Sequence, residues 1–359
     1  GKPFASFPDG LAGELAAARL EIMPRIAAIA RMHGAAHVLV AGDVFDSDSL
    51  DTLALRRTLE HLRTEEDVCW LLLPGNHDPA RPGGVWERLM RIGLPVNVAV
   101  LTEPAPYQLQ AGTVVLPAPL TSRSPGIDPT AWMTGAATAG GVARIGLAHG
   151  SVQGFGSEGE SAVAISRDRA KSAGLSYLAL GDWHGTTSID TRTHYSGTPE
   201  PDRLPDNNPG NVLVVSVDGE APPAVSVVPS AIFKWARIAA QVHDHADLAA
   251  VERTMTGLSP SLRHVIVRLK LDGSLTLSGQ AALDTWQAEW EGRLRHLETD
   301  RTSLKIRASG ADLDTFGSCG GLRDAANGLA QQAASGNEIA QLALQKLFQF
   351  AAAAQADAP

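Results

Sequence analysis

Four short polar signatures, each directly behind an apolar run, constrain this chain more than any of its other features. Gly42-Asp43-Val44-Phe45-Asp46 follows Val38 to Ala41, and Gly75-Asn76-His77-Asp78 follows Val68 to Leu73. Ala148-His149-Gly150 closes a run that starts at Ile145, and Gly181-Asp182-Trp183-His184 follows Tyr177 to Leu180. Apolar runs this short, rich in Val and Leu and alternating with helical segments, predict buried strands of a layered α/β fold. In such folds ligands bind outside the carboxyl ends of the strands, where all four signatures stand.

The helical segments between them are read from spacing. Leu11, Leu15, Ile22, Ile26 and Ile29 predict a helix from Leu11 to Met32, and two more are predicted over Thr52 to Arg63 and Trp86 to Met90. Beyond Pro205 the texture changes to short alternating segments, Val212 to Val217 and Val225 to Val228, expected to close a first domain over residues 1–230. A second domain is expected over 231–310. It has strands to Val242, over His264 to Leu271 and near Leu304 to Ile306, with helices at Leu248 to Met255 and Gln280 to Leu297. A helical tail over 311–359 carries an amphipathic stretch, Ile339, Leu342, Leu344, Leu347 and Phe348.

The chain has 359 residues, long enough for one large domain and a smaller one without covalent staples. Its two cysteines, Cys69 in an apolar run and Cys319 in a Gly-rich stretch, give neither a disulfide framework nor a thiolate zinc site, and a reducing cytoplasm is the expected setting. With 30 Lys and Arg against 39 Asp and Glu the formal net charge is −9, which argues against a surface coated in basic groups and leaves room only for a local basic groove.

Carboxylate, amide oxygen and imidazole are the donors that suit a hard or borderline divalent ion, and strand-end loops can bring them to one point. Glycine beside each donor lets the backbone turn sharply. Blander roles are open for several of these residues. Asp43 and Asp46 are also suited to cap a following helix. His149 could be a loop histidine bonded to backbone. Trp183 could stack on a nucleobase at the rim of a site or pack in the core. His33, His61, His243 and His245 lie outside the strand-end pattern and are expected on the surface.

The order GDxxD, GNHD, a late His-Gly and a final Gly-x-x-His resembles the calcineurin-like metallophosphoesterases. Val38 to Asp46 and Tyr195-Ser196-Gly197-Thr198-Pro199-Glu200 resemble the Mre11/SbcD branch of DNA-repair nucleases. The resemblance covers Gly1 to Val228 and implies an α/β, layered metallophosphoesterase fold, a β-sheet sandwich flanked by helices, with a small α+β C-terminal cap and the helical tail. It also implies two divalent metal ions, Mn2+ foremost and Mg2+ next. Asp43 would bridge them, His184 would bind the first, and Asn76 with His149 the second. His77 would be the non-ligand histidine that protonates the leaving oxygen, Asp78 would orient it, and Asp46 would support a ligand from behind.

Two departures from the family pattern matter. The family opens with a strand ending in Asp-x-His ahead of a segment like Gly1-Lys2-Pro3-Phe4. The resemblance therefore implies that two ligands of the first ion lie upstream of Gly1, with the first-ion site incomplete in a fragmentary chain. Asp182 stands where the family has the first histidine of Gly-His-x-His. It is expected to ligate the second ion and to favour Mn2+ or Mg2+.

Hydrolysis of a phosphodiester in DNA, by exonuclease or endonuclease action in DNA repair, is the implied function. The implied partners are DNA, an SMC/Rad50-like ATPase that could dock on the Ile339 to Phe348 helix, and a second copy of the chain in a homodimer. A small-nucleotide phosphodiesterase or phosphatase, or an inactive scaffold for the ATPase, are the alternatives.

Overall fold

The computed structural model describes residue 4 and residues 7–110, 112–155, 163–204, 207–219, 221–317 and 320–356. Gly1, Lys2, Pro3, Pro205 and Cys319, used in the sequence analysis, lie outside the described residues. The chain divides into two compact units, Gly1–Phe233 and Lys234–Pro359.

The first unit opens with α1 (Asp9–Met32), β1 (His37–Val40), α2 (Thr52–Thr64), β2 (Cys69–Leu72), α3 (Val85–Ile92) and β3 (Val98–Val100). Its three strands pair in the order β1-β2-β3, all parallel. Successive side chains of a strand point to opposite faces, and a parallel strand covered on both faces is apolar throughout. The run from Trp70 to Leu73 shows this. Trp70 and Leu72 pack among Leu55, Leu59, Leu62, Val85, Trp86 and Leu89 of α2 and α3, whereas Leu71 and Leu73 enter a different cluster with Val115, Ile145, Leu147 and Tyr177.

That second cluster joins the three-stranded sheet to a larger one. Its strands begin with β4 (Tyr107–Gln110), β5 (Thr113–Ala118) and β6 (Ala143–His149). After the short pair β7 (Ser151–Val152) and β8 (Ala164–Ile165) and the single-turn α4 (Arg169–Ser172) come β9 (Tyr177–Gly181), β10 (Thr187–Ser188) and β11 (Thr193–Tyr195). The sheet order is β10-β11-β9-β6-β5-β4. Its outer face packs on a third cluster that includes Met133, Ala170, Ala173 and Leu175. The antiparallel pair β12 (Asn211–Ser216) and β13 (Ala224–Pro229) adds Val215, Val217 and Val225 to the inter-sheet core. The result is the sheet sandwich flanked by helices. Because β5, β6 and β9 are mutually parallel, as are β1 and β2, each set presents its carboxyl ends together. The strands β3, β4, β5, β7, β8, β10 and β11 are not predicted from the sequence; all but β5 are four residues long or shorter and weakly patterned.

The second unit alternates β14 (Lys234–Val242), α5 (His245–Gly257), β15 (Val265–Thr276), α6 (Leu277–Arg293) and β16 (His296–Arg307), followed by α7 (Gly310–Asp314), α8 (Gly321–Ala334) and α9 (Glu338–Ala356). Its three strands pair in parallel, in chain order, with α5 and α6 as the crossovers. The helix predicted as far as Leu297 ends four residues earlier. Trp286, Trp290, Leu294 and Leu297 keep helical spacing, but Arg295 N–H bonds the Val265 carbonyl and His296 pairs with Ile266, so the chain leaves the helix to extend the sheet. Pairing with β15 outweighs the local pattern.

The tail packs back on this unit through Leu277, Phe316, Ala326, Leu344 and Phe348. Asp312, 2% exposed, anchors that corner by accepting the backbone N–H groups of Leu277 (3.1 Å), Ser278 (3.0 Å) and Ser309 (2.8 Å). Burial alone would push its carboxyl up, yet these bonds hold it below the usual carboxylate range. A depressed folded-state value contributes stability that is present above the unfolded value and lost as pH falls through the folded one. Asp312→Ala is therefore expected to cost about 2–4 kcal/mol at pH 7, since buried N–H groups lose a charged acceptor. Urea unfolding should show the gap from the parent narrowing below about pH 4.

Candidate metal centre

Among the described residues, the non-glycine positions with positive φ are Asp43, at 53°, and Asp182, at 96°. Asp43 follows β1 and Asp182 follows β9, so the left-handed backbone falls on the two signature aspartates. Such conformations cost on the order of 1–3 kcal/mol and persist where surroundings impose them, most often at functional sites. The surroundings here are tight. A Cβ on Gly181 would fall onto the Ala41 carbonyl oxygen, and one on Gly42, itself at φ 91°, would fall on the His149 ring. Both glycines let the ends of β1, β6 and β9 close on each other.

His149 lies at the centre of this convergence and is 1% exposed. Its Nδ1 stands 2.8 Å from the Ala41 carbonyl oxygen, which only an N–H can satisfy. Nε2 is then a lone pair. It is buried with no hydrogen-bond partner and faces Asp43 Oδ2 at 3.5 Å and Asp182 Oδ1 at 3.7 Å. The Asn76 Oδ1 is also buried and unpartnered. Two carboxylates and an imidazole lone pair this close repel one another unless a cation or a proton lies among them. A proton on Nε2 would answer the carboxylates and leave Asn76 unanswered.

Donor atoms about 2.1 Å from a shared ion stand about 3.0–3.4 Å apart, so small side-chain rotations would close these spacings. Among the described residues, His, Cys, Asp and Glu by themselves form no group of three or more that could hold an ion. Carboxylate, amide oxygen and imidazole are nonetheless donor types that suit a hard or borderline divalent cation.

Residues 16–216 match the family model of the calcineurin-like phosphoesterases, more than half of the chain. The chain belongs to that family. No curated protein matches it. As a calcineurin-like phosphoesterase it is a metal-binding hydrolase of phosphoesters. No helix among its described residues is long and apolar enough to cross a membrane.

The remaining expected site residues of this phosphoesterase fall into place unevenly. His77 is exposed, and its backbone N–H donates to Asp43 Oδ1 at 3.0 Å, which ties its position to the proposed bridging carboxylate. Asp78 corrects the sequence-based expectation. Instead of orienting the His77 ring, its carboxylate is fully buried and accepts the N–H of Gly75 at 2.6 Å and of Phe45 at 3.0 Å. It fastens the loop after β2 to the loop after β1. Burial pushes its carboxyl up to about 7 against the pull of these N–H groups.

Asp46 pairs with Arg19 of α1 at 3.0 Å, tying the first loop to the helix. Trp183 meets Phe155 edge-on at 5.1 Å, and Phe155 stacks on Tyr195 at 5.7 Å, so its indole is part of an aromatic cluster. His184 is exposed, with Arg203 Nη2 at 2.8 Å from Nδ1 and 3.2 Å from Nε2. Arg203 carries no sequence signal of its own, lying three residues beyond the end of the Tyr195 to Glu200 segment.

A second group escaped the sequence analysis: Asp48, Arg81, Thr121, Ser122 and Arg123, which with His77 and Pro79 line a groove of about 320 Å3. Thr121 to Arg123 follow the buried run Val114 to Ala118, which is the strand-end pattern of the four signatures. With no carboxylate or histidine among them, they carried no metal signal.

Proposed function

We propose that this phosphoesterase is a metal-dependent phosphodiesterase acting on DNA, a repair exonuclease or endonuclease similar to the Mre11/SbcD branch. The observation that carries it is the His149 lone pair facing Asp43 and Asp182, both in left-handed backbone, together with a buried, unpartnered oxygen on Asn76 of the neighbouring signature. Asp43, Asn76, His149 and Asp182 would hold divalent ions, Mn2+ or Mg2+ rather than softer ions on the hardness of the oxygen donors, with Mn2+ put first by the family resemblance and His184 as a further donor once Arg203 releases it. Bound there, divalent ions supply a water of lowered pKa and electrostatic stabilisation of the phosphoryl oxygens.

The chain's own residues supply the rest. The Ala41 carbonyl fixes the His149 tautomer so that Nε2 stays a donor atom. Asp78 keeps the two donor loops in register. His77, exposed and held through its backbone on Asp43, gives its ring proton to the departing alcohol oxygen, a role worth roughly 100- to 10,000-fold. DNA as substrate rests on the segments Val38 to Asp46 and Tyr195 to Glu200. An SMC/Rad50-like ATPase and a second copy of the chain are the partners proposed with it.

Linear duplex DNA incubated with and without Mn2+ tests the proposal. The expected result is Mn2+-dependent cleavage that falls by at least about 100-fold in His77→Ala. Cleavage equal in the variant, or none by the parent with Mn2+, would reject it.

A further inference from the structure

The groove beside His77 has features of an anion site that the metal centre does not use. Its walls are two loops stitched together by backbone: Ala80 N–H donates to the Leu120 carbonyl at 2.7 Å, and Leu120 N–H to the Pro74 carbonyl at 3.2 Å. This stitching sets Thr121, Ser122 and Arg123 opposite His77, Pro79 and Arg81 around the opening. Asp48, the acidic member, is largely shielded and already answered. One of its oxygens accepts the Val85 N–H, and the other pairs with Arg81, whose own side chain is 60% exposed. The Asp48 carbonyl is held in turn by Arg88 at 2.6 Å.

Arg123 is different. It is exposed and has no hydrogen-bond or ion-pair partner among the described residues, and the hydroxyls of Thr121 and Ser122 beside it have none either. In a chain of net charge −9, a groove with two arginines and one neutralised carboxylate is a local positive feature. A planar guanidinium with hydroxyl donors next to it suits the oxygens of a phosphate, which accept several N–H and O–H donors at once.

We propose that Arg123, with Thr121 and Ser122, binds a second phosphate of the substrate, the one adjacent to the reacting phosphate on the His77 side. The site thereby selects a nucleic-acid strand, whose backbone carries phosphates in series, over an isolated phosphoester. The proposal rests on phosphodiester hydrolysis as the reaction at the metal centre. Arg81 lends charge to the groove while Asp48 holds it in place, so Arg123 is the residue on which the preference turns. As His77 is expected to protonate the leaving oxygen, the extra phosphate belongs to the leaving strand.

The test is binding without catalysis. Phosphorus NMR titrations with Mg2+, in a His77→Ala background that suppresses turnover and serves as the parent, compare a thymidine trinucleotide, with two internal phosphates, against the dinucleotide, with one. The parent is expected to bind the trinucleotide about tenfold tighter or more, the gain from one charge-assisted phosphate contact. Arg123→Ala should erase that difference while leaving the dinucleotide unaffected, and Arg123→Lys should restore part of it. No preference in the parent, or a preference that survives Arg123→Ala, overturns the proposal. So does inorganic pyrophosphate competing as well as the trinucleotide, which would make the groove a general anion site. Because no turnover is read, a chain that bound as expected but failed to cleave DNA would refute the nuclease and leave the phosphate site standing.

Discussion

Asp43→Asn is expected to lower kcat on a simple diester such as bis(p-nitrophenyl) phosphate with Mn2+ by about 1,000-fold or more, while the metal-free protein keeps its unfolding midpoint. Asn is among the few residues that tolerate the left-handed backbone at this position, and its amide oxygen can still accept the His77 N–H that Asp43 Oδ1 takes at 3.0 Å. The fold therefore loses little. What disappears is the negative charge nearest the His149 lone pair, which would otherwise help neutralise a bound cation. Titration calorimetry should show weakened Mn2+ binding in the same variant. Unchanged turnover with unchanged Mn2+ affinity would remove Asp43 from the centre and, with it, the metal reading of His149 and Asp182.

Asp78→Ala carries the largest expected loss of stability in the first unit, about 2–4 kcal/mol. The methyl group would leave the N–H groups of Gly75 and Phe45 buried without their acceptor, and each such orphan costs on the order of 1–3 kcal/mol. Relief from holding a carboxylate in an apolar setting offsets part of this, which is why the lower end of the sum applies. Calorimetry should find the transition lowered by roughly 5–12 °C, given the size of the unit. Asp78→Asn, which keeps one acceptor oxygen, should fall between the two. Hydrolysis should drop in both variants even where they stay folded, because the GDxxD and GNHD loops would no longer be held in register. A transition within about 1 °C of the parent in Asp78→Ala would show that the loops are held by other means.

How far the site could be read before the structure depended on the kind of signal each residue sends. Asp43, His149 and Asp182 each follow an apolar strand, and parallel strands bring their carboxyl ends to one side, so the approach of these three follows from pattern alone. The role of Asp78 did not. A carboxylate next to a histidine reads the same whether it turns to the imidazole or to the backbone beneath, and only the buried N–H groups of Phe45 and Gly75 decide between them. Arg203 and Arg123 were passed over for a related reason. A lone arginine in a loop is usually solvated surface, and what makes these two notable is what stands across from them: His184 for one, and for the other the groove wall that carries His77.

The second unit shows the same division from the side of the fold. Helical periodicity through Trp286, Trp290 and Leu294 correctly places α6, and its continuation to Leu297 is a local preference that pairing with β15 overrides. Local pattern by itself determined the strand ends, the donor residues on them and the family they imply, because hydrophobic periodicity and glycine next to a polar residue act within a few residues of chain. Only the tertiary structure decided the left-handed backbone at Asp43 and Asp182, the His149 tautomer, the loop-fastening role of Asp78 and the cationic groove, since each depends on atoms far apart in the sequence whose mutual burial removes water and leaves them to satisfy one another.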